Sequence, residues 1–203
     1  MKALLLIDIQ NDFMPTGSLA VPNGNKIVAP VNAVQLHFDL VIASQDWHPA
    51  SHVSFAKNHL GKKEFQIIRL EGLEQTLWPA HCVQNTTGAE FHPNLHTQKV
   101  ETIFRKGTNP ALDSYSAFYD NAHQKSTGLA GYLKEKGITE LYFTGLAADI
   151  CVYFSIKDAL AEGFECVVFE DAVRALDENT YQQQQEELKE QGVNYCRTAD
   201  FLK

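Results

Sequence analysis

Cysteines are few and widely spaced in this chain of 203 residues: Cys82, Cys151, Cys166 and Cys196 form no C-x-x-C pair. That excludes a secreted disulfide scaffold, so each thiol is read as free and needs its own explanation. No run of Lys and Arg builds a basic patch, and the formal net charge is −8, so nucleic acid is not an expected partner. No apolar stretch approaches the roughly 20 residues that span a bilayer. The opening MKALLLIDIQ is apolar only over residues 3–7 before Asp8 and offers no small-residue cleavage site; it reads as a buried strand rather than a signal peptide. A soluble, cytoplasmic protein without membrane contact is expected. The glycine loop of a nucleotide-binding module is also missing, because IDIQNDF stands where G-x-G-x-x-G or a Walker motif would follow the first strand.

The length suits one α/β domain over residues 1–203 and is short for two. With 44% hydrophobic and 21% charged residues, a packed core is expected rather than disorder. Short apolar runs at 3–9, 40–44, 102–105, 140–144 and 166–170 read as buried strands, with 194–197 a weaker sixth. Helical spacing covers 25–38, and the stretches 129–136 and 150–162 each end at a glycine, Gly137 and Gly163. A polar helix is expected over 177–191. Strands alternating with helices imply right-handed crossovers and a doubly wound, mostly parallel sheet of about six strands with helices on both faces. Residues 45–100 break the pattern. This stretch is rich in His, Pro, Gly and Asn, and a long irregular segment in a compact domain is usually functional.

Ligands of such sheets bind beyond the carboxyl ends of the strands. Asp8 follows the first apolar run, Asp46-Trp47-His48 the second, Lys106 the third, and Gly145 to Asp149 lead from the fourth into Cys151 at a helix start. A strand-end Asp is by itself most often a turn residue; four reactive groups at four successive strand ends point to a site. A helix N-terminus and a nearby Lys106 are expected to lower the Cys151 thiol pKa, with Asp8 taking its proton. Such a group suits acyl transfer from an amide: thiolate attack, protonation of the leaving amine, then thioester hydrolysis. The backbone N–H groups of Ala147 and Cys151 are the candidate oxyanion donors. Asp46 and His48 place a carboxylate and an imidazole on one side of an extended segment, and His52, His59 and His81 follow. A mixed N/O set suits zinc, iron or manganese better than magnesium or calcium. His92, His96, His123, Cys166 and Cys196 carry no comparable pattern.

Five segments together, LLLIDIQNDF (4–13), SQDWHPASHVSF (44–55), LWPAHCVQNTTGAEFHP (77–93), KGTNPALDSYSAF (106–118) and TGLAADICV (144–152), resemble the nicotinamidase/pyrazinamidase branch of the isochorismatase-like cysteine hydrolases. The resemblance covers nearly the whole chain. It implies hydrolysis of nicotinamide to nicotinate and ammonia in NAD salvage, with pyrazinamide a further substrate. It also implies an Asp8, Lys106 and Cys151 triad, and one divalent metal on Asp46, His48 and His81, zinc first, with iron or manganese as alternatives. Phe13 and Trp78 would sandwich the ring, Ala147 would contact the substrate, and Leu146–Ala147 would be a cis peptide. The family often reads A-T-D-Y-C-V where this chain reads AADICV, so a hydroxyl is missing at Ala148 and a phenol at Ile150. Other amidohydrolases of the superfamily generally lack the metal set, and the isochorismatase branch lacks the cysteine. A homo-oligomer stays open at this stage.

Overall fold

The structure, a computed structural model, describes residues 1–70 and 72–203. Its strands in chain order are β1 (Lys2–Ile7), β2 (Leu40–Asp46), β3 (Ile67–Leu70), β4 (Leu73–Thr76), β5 (Val100–Lys106), β6 (Glu140–Leu146), β7 (Glu165–Arg174) and β8 (Asn194–Cys196). Six of them form one sheet in the order β5-β2-β1-β6-β7-β8, every neighbouring pair parallel. This is the expected doubly wound sheet. The helices are α1 (Val28–Gln35), α2 (Leu129–Glu135), α3 (Tyr153–Ala161), α4 (Glu178–Glu190) and α5 (Thr198–Phe201).

Residues Ala3 through Ile7 of β1 are completely buried, as a central strand covered on both faces must be. The two-residue period of the strand divides them. Ala3, Leu5 and Ile7 pack with Leu129 and Leu133 of α2, Ile156 of α3 and Leu188 of α4. Leu4 and Leu6 pack with Val28, Val31 and Val34 of α1, where Phe201 of α5 stacks on Phe38 at 5.3 Å. Helices therefore cover both faces. The edge strand β5 alternates half-buried and exposed residues until Lys106, which alone is buried.

Element limits differ from expectation where local chemistry intervenes. The 25–38 helix opens as a 3-10 turn (Gly24–Ile27) and ends at Gln35; Pro30 is tolerated in the first turn of α1, where N–H groups lack an intrahelical acceptor. The helix expected from 150 begins as a π-helical turn, Ala148–Val152, ahead of α3. Asp177 caps α4 by accepting the Thr180 N–H at 2.6 Å. The antiparallel β3–β4 hairpin and α5 had no counterpart in the sequence pattern. No helix among the described residues is long and apolar enough to cross a membrane.

The first half of the chain builds the sheet outward from β1 through β2 to β5, and the second half builds it the other way from β6 through β7 to β8. The reversal lies between β1 and β6, which puts a crevice beyond their carboxyl ends. Backbone bonds tie the segment after β2 to that end: the His48 N–H donates to Cys82 O at 3.0 Å, and the Gln84 N–H donates to His48 O at 2.9 Å.

Candidate active site

Asp8, Lys106 and Cys151 meet on the floor of this crevice. Asp8 leaves β1 with φ of 47° and is fully buried. One of its oxygens accepts the Ser44 hydroxyl at 2.7 Å and the other lies 2.9 Å from Lys106 Nζ. Lys106 Nζ also donates to Asp46 Oδ1 and, at 3.1 Å, to the Ser114 carbonyl, and it lies 3.5 Å from Cys151 Sγ. An Asp8 carboxylate oxygen is within 4.8 Å of that sulfur. Gly145 allows this convergence. At φ of 123° it approaches β1 so closely that a Cβ would sit 2.0 Å from Ile7 O, so only glycine lets β6 deliver the Cys151 turn beside Asp8. The Leu146–Ala147 peptide is cis.

Burial dominates the electrostatics. It raises the Asp8 carboxyl above its ordinary range, against the pull of Lys106. Burial opposes charge on Lys106 too, but Asp46 and Asp8 outweigh it and hold the ammonium protonated. The same Lys106, with His48 and His81, overcomes burial at Asp46 and keeps it well below the carboxylate range. At Cys151 burial pushes the thiol well above its ordinary value and Asp8 and Asp46 add to it, while Lys106 only partly compensates. The lowered thiol pKa expected from the sequence is thus reversed: a helix start and one lysine do not offset full desolvation beside two carboxylates.

Asp46, His48 and His81 stand next to this cluster, each offering a donor atom within 4.8 Å of the others. The His81 Nδ1 pairs with Pro79 O at 2.8 Å, which leaves Nε2 free, 3.6 Å from Asp46 Oδ2. His48 Nδ1 is buried without a hydrogen-bond partner. Two free imidazole nitrogens and a carboxylate fit a divalent transition metal. Gly107, at φ of 64°, lies over the His48 ring, where a Cβ would be 2.6 Å from Nε2. Among the other histidines, His52 contacts His48 edge to face at 4.4 Å, with its Nδ1 2.7 Å from Ser54 Oγ. The His59 Nε2 pairs with Val53 O at 2.6 Å, and it belongs to neither the trio nor the cleft.

The cleft above these groups encloses about 340 Å³ when its open side is included. Its lining includes Phe13, Trp78, Ala147 and Cys151, with the metal-type trio at one side. Leu19, Ile150 and Leu176 add aliphatic surface. Ile150, where the family often has tyrosine, is only half-buried, whereas Ala148 points into the core. The sequence reading missed several residues. Ser44 steadies Asp8. Gln10 clamps the Asp46 peptide, accepting its N–H and donating to its carbonyl, each at 2.8 Å. Asp12 accepts the Cys82 N–H at 2.7 Å and so anchors the turn that carries His81. Asp113 faces His48 at 3.4 Å, and His48 holds its carboxyl down at about 2 although burial opposes this. Ser44 lies within its strand, and the partners of Gln10, Asp12 and Asp113 stand 36, 70 and 65 residues away in the chain, where no local pattern reaches.

Comparison with known proteins matches residues 2–200 to the Isochorismatase domain. A nicotinamidase of Acinetobacter baylyi is 44% identical over 201 residues, covering 98% of this chain and 94% of its own. The chain belongs to the isochorismatase family, on its nicotinamidase/pyrazinamidase branch. Solved members of that branch superpose closely. The Acinetobacter baumanii nicotinamidase/pyrazinamidase gives a TM-score of 0.95 at 43% identity, with 98% and 97% of the two chains covered. The L. infantum PnC1 protein, in complex with nicotinate, gives 0.87 at 37% identity, with 98% and 93% covered. A Pyrococcus horikoshii pyrazinamidase in complex with zinc gives 0.80 at 35%, with 97% and 98% covered.

Proposed function

We propose that this chain hydrolyses nicotinamide to nicotinate and ammonia through a thioester on Cys151, a step of NAD salvage, and accepts pyrazinamide as well. The observation that carries the reading is the buried contact of Lys106 with both Asp8 and Cys151, directly beneath the cleft that Cys151 lines beside Phe13, Trp78 and the metal-type trio. Its placement in the family and the nicotinate and zinc held by branch members support it. The whole chain acts as one domain, with residues 45–100 supplying metal-facing and ring-facing groups.

Because the thiol is held protonated, attack is coupled to proton transfer. Asp8, whose raised pKa makes it a competent base, takes the Cys151 proton as sulfur adds to the carboxamide carbon. Lys106 stays cationic and stabilises the developing thiolate. The negative oxygen is received by the N–H groups of Ala147 and Cys151. Protonated Asp8 then gives its proton to the amide nitrogen, the C–N bond breaks and ammonia leaves. Asp8 next takes a proton from water as the water oxygen adds to the thioester carbonyl, then gives that proton to sulfur as the C–S bond breaks, so that nicotinic acid departs with the thiol and the Asp8 carboxylate restored. Phe13 and Trp78 hold the ring between their faces.

Asp46, His48 and His81 would hold a divalent metal. When bound, it supplies a Lewis acid for the pyridine nitrogen, fixing the ring so that the carboxamide meets Cys151. The test is ammonia release from nicotinamide by the purified protein, beside a Cys151→Ala variant and a metal-stripped sample. Release that needs both the thiol and the metal supports the reading; full activity in either control refutes it.

A further inference from the structure

The mechanism leaves without a task the buried carboxylate that faces the metal-type trio. Asp113 lies on the loop after β5 and is 3% exposed. Its Oδ1 accepts the Ser114 N–H at 2.8 Å, its Oδ2 accepts Gln75 Nε2 from β4 at 3.0 Å, and its Oδ1 lies 3.4 Å from His48 Nε2. Burying a charge is costly unless every oxygen finds a donor. Both Asp113 oxygens already accept N–H donors, so the His48 nitrogen that faces Oδ1 is the one placed to donate. A neutral imidazole protonated at Nε2 keeps its lone pair on Nδ1, and His48 Nδ1 is the buried nitrogen with no partner. His81 is arranged the other way round, with Nδ1 on the Pro79 carbonyl and Nε2 left free.

We propose that Asp113 is a positioning residue that fixes the tautomer of His48, so that a divalent metal is bound by His48 through Nδ1 and by His81 through Nε2. The proposal rests on the metal reading given above. It assigns the β3–β4 hairpin a part as well: Gln75 is held by the Thr76 carbonyl at 2.7 Å while it donates to Asp113, so hairpin, carboxylate and ring form one chain of hydrogen bonds. Outer carboxylates of this kind orient the ring and make it a better ligand, and their loss typically weakens metal binding by about 10–100-fold.

Long-range 1H–15N correlation spectra of the wild-type protein, metal-free and loaded with zinc, identify the metal-bound nitrogen of His48 without any variant. Zinc affinity by competition with a chelator, and the melting temperature of the metal-free protein, are then measured for wild type, Asp113→Ala, Asp113→Glu and His81→Ala. The proposal expects zinc on His48 Nδ1. It expects binding about 10–100-fold weaker in Asp113→Ala, with partial recovery in Asp113→Glu. The metal-free melting temperature should not fall in proportion, and excess zinc should restore nicotinamide turnover. Zinc on His48 Nε2 overturns the proposal, and so does wild-type affinity in a folded Asp113→Ala. If affinity falls in His81→Ala and stays unchanged in Asp113→Ala, the metal reading stands and this one fails. If neither variant matters, both fail.

Discussion

Replacing Lys106 with Met keeps the length of the side chain and removes its charge from between two buried carboxylates. In the native protein Nζ lies 2.9 Å from Asp8, contacts Asp46 and donates to the Ser114 carbonyl, all with almost no exposure. Breaking a buried ion pair by deleting one partner costs about 3–5 kcal/mol, because the remaining charge is left uncompensated. For a chain of this size that is a fall in melting temperature of about 6–20 °C, at about 2–4 °C per kcal/mol. The sign of the pH dependence follows from the shifts. Asp8 already titrates above the ordinary value of 3.8 and moves higher without the ammonium, so the folded variant binds more protons than its unfolded chain. Its stability therefore rises as pH falls from neutrality toward 3.8. Native Asp46, held below its ordinary value, gives stability that acid removes. The gap between the two proteins therefore narrows on acidification, through the higher Asp8 of the variant above pH 3.8 and through Asp46 only as that value is approached and passed. Thermal unfolding of metal-free samples, followed by circular dichroism near neutrality and at about pH 5, measures it. A loss below about 1 kcal/mol, the worth of an exposed pair, or a gap that widens in acid, refutes the reasoning.

On the proposed role of Asp8 as the base that takes the thiol proton, the acidic limb of kcat/KM for nicotinamide should lie above pH 3.8 and disappear with the activity in Asp8→Asn; a limb at or below that value contradicts its role. Gly107→Ala should cost about 1–2 kcal/mol for its left-handed backbone and displace the His48 ring, lowering the zinc content measured by elemental analysis; a full complement of zinc would count against the ligand set. Phe13→Ala or Trp78→Ala should raise KM roughly tenfold with kcat less affected, from losing about 1.5 kcal/mol of ring contact, and an unchanged KM removes that residue from the ring site.

The strand-end rule made the floor of the site legible: Asp8, Asp46, Lys106 and Cys151 each sit at or just beyond a strand whose apolar run is plain in the sequence. What the residues alone left open was the choice among His52, His59 and His81. It depends on the turn held by Asp12 and Cys82, a contact 70 residues apart in the chain that no local pattern encodes. The β3–β4 hairpin escaped because its strands are four residues each, too short to declare a period. With it went Gln75 and hence the setting of Asp113. The direction of the Cys151 shift was misjudged for a related reason: sequence shows which charges are near in the chain but not how far water is excluded.

The reversal of the sheet between β1 and β6 splits the site between the two halves of the chain. Asp8, Asp46 and Lys106 belong to one half, Cys151 to the other, and neither half alone contains both the Asp8 carboxylate and the sulfur. During synthesis the cysteine emerges last, as an unremarkable thiol in a flexible chain. It acquires its altered acidity only when β6 zips against β1 and closes water out. The reactivity of that one sulfur is therefore a built-in reporter of complete assembly, and two separately expressed halves that dock correctly would regain it together with the activity.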